Sequence, residues 1–80
     1  MSNVSVQRSA TRYGAVTPSD STVLQFRRLY IGGAGAVAVK NGVDGTVTTF
    51  AAVPAGNQLE VFGTHVMAAS TATNIVWMDW

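Results

Sequence analysis

One histidine (His65), four carboxylates (Asp20, Asp44, Glu60 and Asp79) and a glycine cluster (Gly32-Gly33-Ala34-Gly35) are the residues of this 80-residue chain from which chemistry would be built. A nucleophilic site around His65 needs a serine or threonine beside the ring and a carboxylate to orient it. Glu60 and His65 stand an odd number of positions apart along one apparent strand. Alternation directs them to opposite faces unless Gly63 inserts a bulge. Asp44 lies in the turn-forming run Lys-Asn-Gly-Val-Asp-Gly (40–45), where its expected work is to close the turn. Four scattered acids supply no basis for paired-carboxylate chemistry. With no cysteine and a single histidine, thiolate and multi-histidine metal sites are excluded within one chain.

The glycine cluster invites comparison with phosphate-binding loops. A Walker loop requires Gly-Lys followed by Ser or Thr at the mouth of a helix. Here Gly35 is followed by Ala36, and Lys40 lies beyond the β-like run Ala-Val-Ala-Val. A dinucleotide fingerprint needs a third glycine three residues after the second and a helix behind it. Neither pattern is met, so Gly32, Gly33 and Gly35 are expected to be hairpin glycines. The residues therefore predict no catalytic site, no cofactor and no metal, and a protein that is not an enzyme.

The elements that must position these residues read as β throughout. Residues 23–31 (VLQFRRLYI) and 36–39 (AVAV) are strand-like, and so are 46–53 (TVTTFAAV), 58–69 (QLEVFGTHVMAA) and 74–80 (NIVWMDW). Turn chemistry separates them, Asn-Gly and Asp-Gly at 41–45 and Pro-Ala-Gly-Asn at 54–57. Gly63 inside its run suggests a bulge or bend. The fold expected is all-β: an antiparallel meander of about five strands, closed as a small sandwich or partly open barrel. Residues 1–22 are polar, contain no continuous apolar stretch and read as an extended N-terminal arm, with a short strand at Val4–Val6, before a β-domain at 23–80.

Composition points to assembly. Charged residues make up 11% of the chain against 48% hydrophobic, where soluble monomers carry about a quarter charged residues. A chain this short buries little core and usually needs a staple, and with disulfides and metal excluded the one that remains is association with copies of itself, the alternative being a monomer whose serine and threonine hydroxyls do the solvating. The net charge of +1 is no footprint for nucleic acid, and no run approaches a membrane span. Neither partner is expected.

Candidate contacts follow from residue type. Alternation along the last strand puts Ile75, Trp77 and Asp79 on one face and Val76, Met78 and Trp80 on the other. One face is expected to close the core and the other to meet a partner, with Trp77 or Trp80 as the anchor. Tyr30 and Phe62 are further aromatic candidates. Arg27 and Arg28 point to opposite faces and are candidates for ion pairs between subunits with Glu60 or Asp79, or else are plainly solvated. Arg8 and Arg12 lie on the arm and would meet an acidic partner surface.

The ordered series TPSDST (17–22), RRLYIGGAGAVAV (27–39), TVTTFAAVPAGNQLEV (46–61) and STATNIVWM (70–78) resembles the head spike base family of gene transfer agents and tailed phages. The resemblance implies a non-enzymatic structural protein on the outer surface of the virion, made in the host cytoplasm. Such a protein acts as spike base, vertex protein or cement protein. Its implied partners are the major capsid protein, copies of itself as a pentamer or trimer, and a spike fibre protein. The arm at 1–16 and the aromatic ending Trp-Met-Asp-Trp depart from the family pattern, which leaves a decoration role between capsomers open. The alternative is a carbohydrate-binding module in which Trp77, Trp80, Tyr13 or Tyr30 stacks on sugar rings.

Overall fold

The computed structural model describes residues 10–80. The Val4–Val6 strand and Arg8 lie outside the described residues. Seven strands form, β1 (Arg12–Val16), β2 (Arg28–Gly33), β3 (Gly35–Asn41), β4 (Val47–Val53), β5 (Asn57–Leu59), β6 (Gly63–Val66) and β7 (Thr73–Asp79). They build two sheets, one of order β1-β7-β2-β5 and one of order β4-β3-β6. Every pairing is antiparallel. The expected all-β sandwich is thus observed, with more and shorter strands than the sequence runs suggest. The order is also not that of a plain meander, because β7 returns to lie between β1 and β2.

The differences share one cause: the chain changes sheet inside runs that look continuous. The 23–31 run is one case. Phe26 bridges Gly63 at the margin of the three-stranded sheet, whereas Leu29 and Ile31 belong to β2 in the four-stranded sheet. All three are fully buried. The inward position therefore moves from even to odd numbers between Phe26 and Leu29, and this crossover is why the period of two is imperfect there. The 58–69 run behaves likewise, with β5 in one sheet and β6 in the other.

The glycine cluster is a corner rather than a hairpin. Only Ala34 separates β2 from β3, yet the two strands lie in different sheets. Close packing demands the small residues: a Cβ on Gly32 would lie 2.7 Å from the Asn74 carbonyl oxygen, and one on Gly35 would lie 2.6 Å from the Ala72 nitrogen. The Asn-Gly/Asp-Gly run does form a hairpin, between β3 and β4. Asn41 Oδ1 accepts from the Val43 N–H at 2.7 Å and Asp44 Oδ1 from the Thr46 N–H at 3.0 Å.

The core between the sheets is Phe26, Leu29, Ile31, Val37, Val39, Val53, Val66, Ala72 and Ile75, with Trp77 packed against it. Gly63 is buried against it, where an added Cβ would stand 2.7 Å from Phe26 Cζ and 2.8 Å from Val39 Cγ1. Replacing Gly63 with alanine is expected to cost about 1–3 kcal/mol by overpacking, read as a lowered urea midpoint at unchanged slope. Ala52 has the opposite problem. It occupies left-handed backbone at φ 56°, next to the irregularity where the β3–β4 register shifts between Gly35 and Val37. Left-handed backbone costs an L-residue about 1–2 kcal/mol. Ala52→Gly should therefore stabilise the domain by up to about 1 kcal/mol, the same urea titration showing the gain.

Residues 12–16, placed by the sequence pattern in the arm, are an edge strand of the four-stranded sheet, in register with β7 from Arg12↔Asp79 to Val16↔Ile75. The segment that follows runs along the edge of β6. Ser19 N–H donates to the Val66 carbonyl at 2.8 Å and Leu24 N–H to the Thr64 carbonyl at 2.7 Å. Asp20 Oδ1 accepts from the Ala68 N–H at 2.9 Å. The β6 edge is thereby covered, while β4 on the other side of that sheet pairs only with β3 among the described residues.

Candidate interaction surfaces

The residues that could do chemistry are kept apart. Glu60 follows β5 and reaches Arg28 of the four-stranded sheet, at 3.2 Å. His65 lies on β6 of the other sheet, with Nδ1 2.9 Å from Thr64 Oγ1. Asp44 is committed to its turn, and its carboxyl is held below the usual range by the backbone and side-chain hydrogen bonds from Thr46. Among the described residues no three histidine or acidic side chains group so as to hold a metal ion.

What the fold does assemble is surface. Strand register separates the two faces of the four-stranded sheet. Leu29, Ile31, Ile75 and Trp77 face the core. The opposite face carries Tyr13, Met78 and Arg28 in one cross-strand row, and Ala15, Val76, Tyr30 and Gln58 in the next. Tyr13 is 69% exposed and Tyr30 38%. Trp80 belongs to the same face by alternation, and the Arg28 guanidinium stands over its ring at 5.1 Å. Arg28 also hydrogen-bonds Gln58 Oε1 at 3.3 Å. The result is an aromatic face with one cation held at its centre. The tryptophan pair is thereby resolved, with Trp77 against the core and Trp80 on the face turned away from it.

The arginine doublet finds the anticipated acids, but within the chain. Arg27 Nε lies 3.5 Å from Asp79 Oδ1 and Arg28 pairs with Glu60. Arg12 reaches Asp79 as well. Asp79 is 1% exposed, the one buried charged residue of the described chain. Burial pushes its carboxyl up, but the Arg12 hydrogen bond, the Trp80 backbone N–H and the charges of Arg12 and Arg27 outweigh it and hold the group below its ordinary value. The arginine side chains are themselves more than half exposed. A hydrogen bond and two opposite charges at one carboxylate favour its ionised form by more than burial disfavours it.

Phe62 is found at the open end of the sandwich, 40% exposed, with the Arg27 guanidinium 5.7 Å from its ring centre. It lines a cleft of about 250 Å³ with Val39, Asn41, Val43, Thr48, Phe50 and Val61. The sequence pattern does not announce this cleft. Its one signal is Val43, a valine set in a turn of polar and glycine residues, and it is 85% exposed.

The chain matches no protein-family model and no curated protein. Among solved structures it is similar to a chain of the capsid of a native gene transfer agent (GTA) particle computed with C5 symmetry. The identity is 32% and the TM-score 0.77, over 95% of this chain and 90% of that one. This chain belongs to the same family as that capsid chain. The GTA relative shares the whole described sandwich rather than one motif, since a likeness of that coverage takes in both sheets and the β2–β3 corner between them. The match agrees with the phage-like, capsid-associated part of the sequence resemblance.

Proposed function

We propose that this protein is a non-enzymatic structural component of the outer surface of a phage-like capsid, a head spike base that seats on the shell and carries a fibre. The observation that carries the reading is the 32% identity, along nearly the full chain, to a chain of a GTA capsid. The surface chemistry supports it. A low-charge domain that displays Tyr13, Tyr30, Met78 and Trp80 on one sheet face has the aromatic and methionine enrichment of an interface centre. Arg28, already held by Glu60, Gln58 and the Trp80 ring, adds a fixed cation at that centre. The partners proposed are the major capsid protein beneath this face, further copies of the chain at its sides, and a spike fibre protein above.

The test is co-sedimentation of the purified chain with assembled shells and, separately, with unassembled shell subunits, alongside native mass spectrometry of the 8.4 kDa chain. Binding to shells alone is the expected result. A pentamer assigns the protein to five-fold vertices, and a trimer assigns it to a cement role between capsomers. A chain that binds neither shells nor itself would overturn the reading. The carbohydrate alternative retains Tyr13 and Tyr30 as exposed rings, the second of them beside Gln58. It has lost Trp77 to the core, and Arg28 occupies one face of Trp80. Binding to a glycan array with no binding to shells would favour it.

A further inference from the structure

β4 is a seven-residue edge strand, Val-Thr-Thr-Phe-Ala-Ala-Val, with no charge and no proline. Natural proteins blunt such edges with lysine, proline, bulges or a covering segment. The bulge at this strand lies at its far end, near Val53, and the Val47–Phe50 half is unprotected among the described residues. The other edge of the same sheet is covered by Ser19–Phe26. The apolar cleft also opens beside β4: Thr48 and Phe50 face it, with Val43 and Phe62 on its rim. An unpaired edge next to a cleft on the inward-facing row is the arrangement that accepts an added strand, main chain to the edge and alternate side chains to the cleft.

We propose that residues 1–9 of a neighbouring copy are that strand. Their sequence, Met-Ser-Asn-Val-Ser-Val-Gln-Arg-Ser, alternates Val4 and Val6 against Ser5 and Gln7. Added beside β4, the valine row falls on the inward side with Thr48 and Phe50, and the polar row falls on the outward side with Thr49. The apolar and polar sides of the segment thus match those of its site.

The topology sends the segment to a neighbour rather than back onto its own chain. β5 follows β4 through the short turn at 54–56, so β5 stands on the β4 side of the sandwich. In the four-stranded sheet β1 is at the opposite margin from β5, three strand spacings or about 14 Å away. The bond from Ser19 to Val66 places the end of β1 on the β6 side. β1, which the segment precedes, therefore stands at one margin, and the acceptor edge lies at the other. Donor and acceptor on opposite margins make a head-to-tail contact, and repeated contacts of that kind form a ring when the rotation between copies closes. The inference rests on the capsid reading, in that copies stand side by side on a shell.

The chain has no cysteine of its own, so cross-links report without background. Full-length Val6→Cys chains are mixed with full-length Thr48→Cys chains and oxidised, both free in solution and bound to purified shells. Shell binding is measured in the same samples. The expected product, in at least one of the two settings, is a mixed dimer in which a disulfide joins the Val6→Cys chain to the Thr48→Cys chain. The Ser5→Cys and Thr49→Cys mixture should also link, and the Ser5→Cys and Thr48→Cys mixture should not, because neighbouring residues point to opposite faces. Thr48→Cys homodimers alone would make a second β4 the occupant and overturn the proposal. A link within one chain carrying both Val6→Cys and Thr48→Cys, with no mixed dimer, would overturn it too. So would no link in either setting, even where shell binding persists and the capsid reading stands. As a second readout, the amides of Val47–Phe50 should exchange slowly in the assembled wild type. They should lose that protection in full-length Val4→Lys/Val6→Lys, while the β2 and β7 amides are unchanged.

Discussion

Replacing Asp79 with asparagine is expected to lower the unfolding free energy by about 1–3 kcal/mol, the range for removing a charge-assisted hydrogen bond from a buried group. The carboxylate joins three segments: β7, on which it stands, β1 through Arg12, and the approach to β2 through Arg27. The backbone adds to the junction, since Thr11 N–H donates to the Asp79 carbonyl at 3.0 Å and Arg27 N–H to the Met78 carbonyl at 2.9 Å. An amide keeps the shape and loses the charge, leaving two arginines beside each other. Both are largely exposed and can turn to water, so the cost stays below that of breaking a fully buried pair. The same change alters the acid response. The folded carboxyl lies below its ordinary value, so its contribution is fully present above an unfolded pKa of about 3.9 and is lost as pH falls through the folded value. Urea midpoints measured from pH 7 down to pH 2 should show the wild type and the Asp79→Asn variant converging below about pH 4. Asp44 titrates in the same window and direction, so the variant should still lose some stability there. Parallel curves with no convergence would remove the carboxylate from the account.

The fold class was legible in the sequence because its signals are local. Asn-Gly and Asp-Gly make the β3–β4 hairpin through hydrogen bonds two residues long, and alternation in Ile75–Trp80 assigns both faces of β7 correctly. Strand partners are not local. Nothing in Arg12–Val16 shows that its ladder is β7, 59 to 67 positions away, so an edge strand read as arm. The glycine cluster misled for a related reason. A hairpin and a corner between sheets both need small residues, and only the neighbour distinguishes them: β3 for a hairpin, Asn74 and Ala72 for the corner observed. The same holds for the interaction residues. Trp80, Tyr30 and Arg28 were named from type alone, but that they share one face with Tyr13 and Met78 follows from the order β1-β7-β2. The pairs Arg27–Asp79 and Arg28–Glu60 were anticipated as contacts, and charge pattern carries no information on whether they close within a chain or between chains.

Tyr30→Ala and Trp80→Ala, made singly, should each weaken shell binding by roughly 30-fold, the effect of losing an interface anchor worth about 2 kcal/mol. The two side chains differ in how they are held, and the difference gives the prediction its detail. Tyr30 is partly exposed in mid-strand, with no partner for its hydroxyl among the hydrogen bonds of the described side chains, so its removal should leave the urea midpoint nearly unchanged. Trp80 is covered by Arg28 and its Nε1–H is buried without a partner. An orphaned donor of this kind is a group that binding can satisfy, whereas in the free protein it only costs. Trp80→Phe therefore separates packing from hydrogen bonding: it keeps the ring under Arg28 and removes the donor. If the donor is used on the shell, Trp80→Phe should fall between wild type and Trp80→Ala in affinity. Val23→Lys is the control that should leave affinity for the shell unaltered, because Val23 is 71% exposed on the segment that covers the β6 edge of the other sheet, outside both the aromatic face and the β4 edge. An affinity that falls with Val23→Lys and ignores Tyr30 and Trp80 would transfer the shell contact to the three-stranded sheet.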